Sequence, residues 1–98
     1  MVIIHCKASI APEKQAEYIA RVNEAQIIEK TREEPGNLWY ELSASAGEPG
    51  SLYVIERWES RKFLPAHMKS ENYKRISGLN AEYGVKTDVK VFTAEAMG

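Results

Sequence analysis

One histidine lies close to a carboxylate and two aromatic rings near the middle of the sequence. The segment ERWESRKFLPAH ends at His67 and also contains Glu56 and Trp58. An imidazole exchanges protons near neutral pH, and a neighbouring carboxylate can orient it or share its proton. These residue types predict a general base, or a hydrogen-bond donor, for the hydroxyl group of a substrate. A metal site is not predicted, because no second histidine lies near His67 in helical spacing and Cys6 is the only cysteine.

Alternating and helical patterns predict the elements that must position these residues. Period-two alternation predicts strands over 2–10, 38–45, 52–59 and 84–94, and helical periodicity predicts helices over 12–33, 61–68 and 70–83. Ser60 and Ser70 are typical N-caps, and Pro65 is expected to kink the middle helix or make it partly 3₁₀. The short AGEPG turn predicts a hairpin between the second and third strands.

The order of these elements, β-α-β-β-α-α-β, predicts an α+β ferredoxin-like fold in a single domain, residues 1–98. One antiparallel sheet would carry the helices on one face. The opposite face would present Ile3, Trp39, Tyr53 and Ile55, a surface too apolar to leave in water. We therefore expect a two-fold homodimer that packs sheet against sheet.

The composition excludes several other classes of protein. The formal net charge is −1 without blocks of like charge, which argues against nucleic acid or an anionic membrane as the main partner. The longest apolar run is far too short to cross a membrane. A single cysteine rules out an internal disulfide and favours a cytoplasmic location.

Two segments, EEPGNLWYEL and LYVIERWESRKFLPAHMKSENYKRI, resemble the antibiotic biosynthesis monooxygenase (ABM) family. The family pattern, roughly E-x-G-x-x-x-Y-x-L, E-x-W-x-[ST] and A-H-[LM]-x-[ST]-x-x-[FY], falls here on Glu34, Gly36, Tyr40, Leu42, Glu56, Trp58, Ser60, Ala66, His67, Met68, Ser70 and Tyr73. The resemblance implies a dimeric α+β barrel built from ferredoxin-like subunits. Known members include oxygenases of quinols and polycyclic phenols that use no metal or flavin, haem-degrading enzymes, and an isomerase of a small phosphorylated dione.

Departures from the family pattern disfavour haem. The haem-degrading branch carries an Asn on the first strand and a haem-ligating His after the third-helix aromatic, where this chain has Cys6 and Ser77. That branch also has a Trp in place of His67. No cofactor is therefore predicted. Pro65 replaces a good helix former, which leaves open whether His67 points into a pocket.

The resulting hypothesis is a cofactor-independent monooxygenase that lets O2 react with a deprotonated quinol or hydroxylated aromatic compound. His67 and Glu56 would be catalytic, and the substrate would contact Tyr40, Trp58, Tyr73, Asn72, Cys6 and Phe63. Two alternatives stay open: an isomerase or other non-oxidative enzyme for a small carbonyl compound, and a ligand-binding dimer without turnover. Each of these side chains could also be ordinary core packing.

Overall fold

Four strands form one antiparallel sheet in the computed structural model, which describes all 98 residues, Met1–Gly98. The strands are β1 (Val2–Ser9), β2 (Asn37–Ala44), β3 (Ser51–Trp58) and β4 (Lys86–Thr93). Their spatial order is β2-β3-β1-β4, so β1 pairs with β3 on one side and with β4 on the other. This is the predicted ferredoxin-like topology, in which consecutive β2 and β3 form a hairpin and β4 returns beside β1.

Helices pack against one face of this sheet. They are α1 (Gln15–Glu24), α2 (Ile27–Arg32), α3 (Leu64–Met68) and α4 (Glu71–Glu82), with 3₁₀ turns at Pro12–Lys14 and Arg61–Phe63. The main core lies between the sheet and α1, α2 and α4, and consists of Ala8, Ile10, Tyr18, Val22, Ile27, Leu52, Leu79 and Tyr83. None of the four helices has the length and apolar character needed to cross a membrane.

The first helix breaks where the sequence predicted continuity. Gln26 adopts a left-handed backbone, with φ of 54°, and separates α1 from α2. Val22 and Ile27 are both 1% exposed, yet they would lie about 140° apart on one regular helix. The break turns both toward the core. Ile28 is only partly buried and also packs against this core.

The segment before His67 also differs from the expected single helix. Ser60 makes no side-chain cap, and its hydroxyl is buried without a partner. Arg61–Phe63 forms a 3₁₀ turn, as expected near Pro65, and α3 begins only at Leu64. Pro65 therefore lies at the start of α3, where its missing N–H leaves no helical hydrogen bond unmade. Ser70 is confirmed as an N-cap, since its Oγ accepts a hydrogen bond from the Tyr73 backbone N–H at 3.1 Å.

A bulge shifts the start of β2. The register with β3 changes between Asn37 and Trp39, and Leu38 is 46% exposed. Regular alternation would place Leu38 with Tyr40 on the inner face, the face that the helices cover. The helix-free face, called the outer face here, carries partly buried apolar residues at Ile3, Trp39, Tyr53 and Ile55. Strand β4 is exposed along its whole length.

Candidate functional site

A cavity of about 500 Å³ lies between the inner face of the sheet and helices α3 and α4. Its walls are mostly aliphatic and aromatic, and neither lysine nor arginine lines it. The polar groups that reach it are Cys6, Tyr40, Glu56, His67, Tyr73, Ser77, Asn80 and Thr87. A largely apolar cavity with a few converging polar groups is the usual form of a small-molecule site.

Strand pairing brings the sheet-borne residues of the cavity together. Glu56 on β3 pairs with Tyr40 on β2 and with Ile4 on β1. Alternation along each strand therefore turns the three side chains to the inner face. Helix α3 crosses above this row and places His67 over Glu56.

His67 lies between two carboxylates. Its Nδ1 is hydrogen-bonded to Oε1 of Glu34 at 2.8 Å, and its Nε2 is 3.7 Å from Oε1 of Glu56. The second distance is too long for a hydrogen bond, so Nε2 is the ring nitrogen left free. His67 is 6% exposed and Glu56 is 8% exposed. The imidazole therefore has a carboxylate near each ring nitrogen, in a poorly solvated place.

Burial makes the Glu56 carboxyl easier to protonate than that of an exposed glutamate. Burial raises the pKa of its carboxyl and Glu34 raises it further, while the hydrogen bond from Trp58 and a charged His67 act to lower it. The Trp58 Nε1–H donates to Oε1 of Glu56 at 3.0 Å. Because burial is the largest cause, the net shift is upward, and the carboxyl is suited to proton exchange.

Aromatic rings fix the imidazole in place. The Trp58 ring centroid is 4.7 Å from that of His67, and the Tyr73 ring meets His67 edge-on at 5.4 Å. Tyr40 is 4% exposed. Burial, with a smaller contribution from Glu56, raises the pKa of its phenol well above the ordinary value, so the Tyr40 hydroxyl stays a neutral donor.

The structure brings five of the eight predicted site residues to the cavity wall: His67, Glu56, Tyr40, Tyr73 and Cys6. Burial is the main cause that raises the pKa of the Cys6 thiol, which keeps it protonated. Pro65 does not turn His67 away from the cavity. Catalysis and substrate contact by these five residues remain predictions.

The other three predicted residues do not line the cavity. Trp58 is 0% exposed and supports His67 and Glu56 from beneath. Asn72 donates from Nδ2 to Oε2 of Glu34 at 2.9 Å. Phe63 packs against the backbone of Gly36, where an added methyl group would overlap the ring. Their contact with substrate remains a prediction.

Glu34 is the residue that sequence reasoning did not place in the site. It is 33 positions from His67, in the loop after α2, so no helical or strand spacing connects the two. Its place in the E-x-G part of the family pattern was the available signal. No group of three or more His, Cys, Asp or Glu side chains is arranged to hold a metal ion.

Comparison with known proteins agrees with the topology. Residues 1–78 match the sequence model of the family described as "Antibiotic biosynthesis monooxygenase". The chain is 25% identical over 75 residues to the "Putative monooxygenase YcnE" of Bacillus subtilis, which covers 76% of each protein. A solved structure described as an antibiotic biosynthesis monooxygenase is 28% identical, with a TM-score of 0.82, over 98% of this chain and 100% of its own.

A second solved structure, from Deinococcus radiodurans, has a TM-score of 0.87 over 100% of this chain and 97% of its own. It is described as a "putative antibiotic biosynthesis monooxygenase", and at 24% identity it supports the fold alone. The family match covers most of the chain, including Glu34, Glu56 and His67. The chain therefore belongs to the antibiotic biosynthesis monooxygenase family.

Proposed function

We propose that the protein is a cofactor-independent monooxygenase that oxidises an uncharged quinol or hydroxylated aromatic compound with O2. One observation carries the proposal: a buried His67–Glu56 pair lies in the wall of a mainly apolar cavity of about 500 Å³. Family membership supports the oxygenase chemistry, and the cavity supports the class of substrate.

The chemistry begins with loss of a proton from the substrate. Ground-state O2 is a triplet and reacts slowly with ordinary closed-shell molecules, a difficulty that cofactors usually remove. A phenolate is electron-rich enough to pass one electron to O2, and the resulting radical and superoxide combine to form a C–O bond. Protonation of this peroxide and loss of water leave a new carbonyl group. One oxygen atom stays in the quinone product, and the other leaves in water.

The residues of the site match the proton movements of this sequence. Nε2 of His67 takes the substrate proton, and the imidazolium that forms lies between Glu34 and Glu56. The same proton can return to the peroxide. Tyr40 donates a hydrogen bond to the substrate oxygen, which holds the reacting carbon in place. The apolar wall limits water, which strengthens each of these interactions.

The lining of the cavity favours this reaction over isomerisation of a phosphorylated compound. Neither lysine nor arginine lines the cavity, so a phosphate group would find no cation there. A dimer that only binds a ligand would have the same kind of lining, so turnover is what distinguishes it from an enzyme.

We also propose that two chains associate through the outer face. Ile3, Trp39, Tyr53 and Ile55 lie on this face, and Phe92, 50% exposed, extends it onto β4. Light scattering after size exclusion should give the mass of two chains. Replacement of Ile55 at the centre of the face, Ile55→Glu, should give one.

Isotope labelling tests the proposed reaction. Purified protein, treated with a chelator, is incubated under ¹⁸O2 with a panel of quinols, anthrols and naphthols. We expect one ¹⁸O atom in the product and one in water. Product that carries oxygen only from the solvent, or turnover that proceeds equally without O2, would contradict the proposal.

A further inference from the structure

Glu34 connects the histidine of the site to a second helix. Its Oε1 is hydrogen-bonded to Nδ1 of His67 at 2.8 Å, and its Oε2 accepts from Nδ2 of Asn72 at 2.9 Å. His67 lies on α3 and Asn72 on α4, while Glu34 lies in the loop that enters β2. The side chain of Glu34 is only 13% exposed, so this bridge is largely shielded from solvent.

We propose that Glu34 is a positioning residue that fixes the tautomer of His67, and that Asn72 fixes Glu34. The pair would keep the proton on Nδ1 and leave Nε2 bare as the proton-accepting atom. The inference rests on the proposed function only for its effect on turnover, because the tautomer is a property of the protein without substrate.

The donors and acceptors around the bridge support a ring proton on Nδ1 of His67. An ionised carboxylate has acceptors and no donors, so Nδ1 of His67 must carry the hydrogen that joins it to Glu34. Nε2 is 3.7 Å from Glu56 and makes no hydrogen bond. The neutral imidazole therefore carries its single proton on the side away from Glu56. A carboxylate on Nδ1 also stabilises the imidazolium that forms when Nε2 accepts a proton.

Asn72 determines how the side-chain amide of a glutamine at position 34 would be oriented. In Glu34→Gln, the new carbonyl oxygen is the better partner for the Nδ2–H of Asn72. The new NH2 group then faces Nδ1 of His67 and donates to it, which moves the ring proton to Nε2. The variant should therefore hold the wrong tautomer in an almost unchanged site.

A second substitution should reverse this effect. In the double variant Glu34→Gln/Asn72→Asp, the carboxylate introduced on α4 would accept from the NH2 group of the new amide, so the carbonyl oxygen of that amide would face His67. The proton should return to Nδ1, and the total charge of the pair is the same as in the wild-type protein. A role in folding alone would not predict rescue by a substitution that changes a different residue.

Nitrogen-15 NMR of the imidazole tests the proposal directly. The couplings between the ring nitrogens and ring protons of His67 identify the tautomer, and His67→Gln assigns its signals against those of His5. With the pH raised until His67 is neutral, we expect the Nδ1–H form in the wild type, the Nε2–H form in Glu34→Gln and the Nδ1–H form in the double variant.

Three results would overturn the proposal. They are an Nε2–H tautomer in the wild type, a ring that stays doubly protonated at every pH at which the protein is folded, and a tautomer that is the same in all three proteins. If Glu34→Gln does not fold, the tautomer seen in the wild-type spectrum alone decides whether the proposal stands.

Turnover gives a separate outcome. If the proposed oxygenation occurs, Glu34→Gln should lower kcat by a hundredfold or more with little change in KM. The kcat of the double variant should be at least tenfold higher than that of Glu34→Gln. Absence of turnover in all three proteins, together with the predicted tautomers, would reject the oxygenase function and leave the positioning role intact. Equal turnover in all three would reject the positioning role.

Discussion

Replacement of Gly36 by alanine should destabilise the protein and displace the site in one step. Gly36 lies in the loop between α2 and β2 with φ of 80°, a left-handed backbone that disfavours any side chain. A methyl group there would also overlap the ring of Phe63. Glu34 lies two residues before Gly36, and α3, with His67, begins directly after Phe63. A shift of either segment would therefore lengthen the hydrogen bond between Glu34 and His67.

The size of the effect follows from two separate costs. A left-handed backbone costs a residue other than glycine roughly 1–2 kcal/mol. Forcing an extra methyl group into a packed site costs about 1–3 kcal/mol more. The sum, about 2–5 kcal/mol, is a large fraction of the stability of a small domain.

Gly84 provides the matched control. It also has a left-handed backbone, with φ of 64°, but no atom lies within 4 Å of the methyl group that alanine would add. Gly84→Ala should therefore cost only the backbone term. We expect the free energy of unfolding of Gly36→Ala to be about 1–3 kcal/mol lower than that of Gly84→Ala. Urea denaturation of both variants at the same protein concentration measures this difference.

A double-mutant cycle isolates the overlap with Phe63. Phe63→Ala removes the ring that the new methyl group would meet. The double variant Gly36→Ala/Phe63→Ala should therefore be less destabilised than the sum of the two single variants, by about 1 kcal/mol or more. Equal losses in Gly36→Ala and Gly84→Ala, or strict additivity in the cycle, would refute the reasoning.

Three further substitutions test the electrostatics of the site. Burial raises the pKa of Glu56, so above the ordinary value of 4.5 the folded protein binds more protons there than the unfolded chain, and stability falls as the pH rises through the folded pKa. The melting temperature of Glu56→Gln should therefore rise relative to that of the wild type as the pH increases above 4.5. A difference in melting temperature that does not change with pH would contradict the raised pKa of Glu56. Tyr40→Phe should lower kcat/KM about tenfold to a hundredfold, the worth of one hydrogen bond to a charged oxygen, with little change in melting temperature. Trp58→Phe removes the N–H that stabilises the Glu56 carboxylate, which should raise the pKa of Glu56 further. The acidic limb of the pH–rate profile should therefore move to higher pH. An unchanged acidic limb would exclude Glu56 from proton transfer.

The sequence predicted best what depends on regular alternation. The inner face of β3 was read from period two, and Leu52, Glu56 and Trp58 are all buried there. Two of the departures come from tertiary packing: the break at Gln26 turns Val22 and Ile27 to one core, and the bulge at Leu38 turns that side chain outward. Neither has a local signal strong enough to override the regular pattern.

The candidate site was predictable only where its residues share an element or a family pattern. Residue type and the family pattern pointed to His67 and Glu56. The partner of His67 could not be found in this way, because Glu34 reaches it through tertiary structure across 33 positions. Phe63 and Asn72 were predicted to contact the substrate, and in the structure Phe63 packs on Gly36 and Asn72 donates to Glu34.

Oxygen consumption by the chelator-treated protein tests the central claim most directly. An electrode records O2 uptake over a panel of quinols, anthrols and naphthols, with wild-type protein, His67→Ala and a control, His5→Ala. His5 pairs with Ile55 and lies beside Tyr53 on the outer face, away from the cavity. We predict uptake above the uncatalysed rate for at least one substrate, lost in His67→Ala and retained in His5→Ala. Uptake that is unchanged in His67→Ala would contradict the role of this histidine as the base, and no uptake above the uncatalysed rate over the whole panel would contradict the oxygenase function.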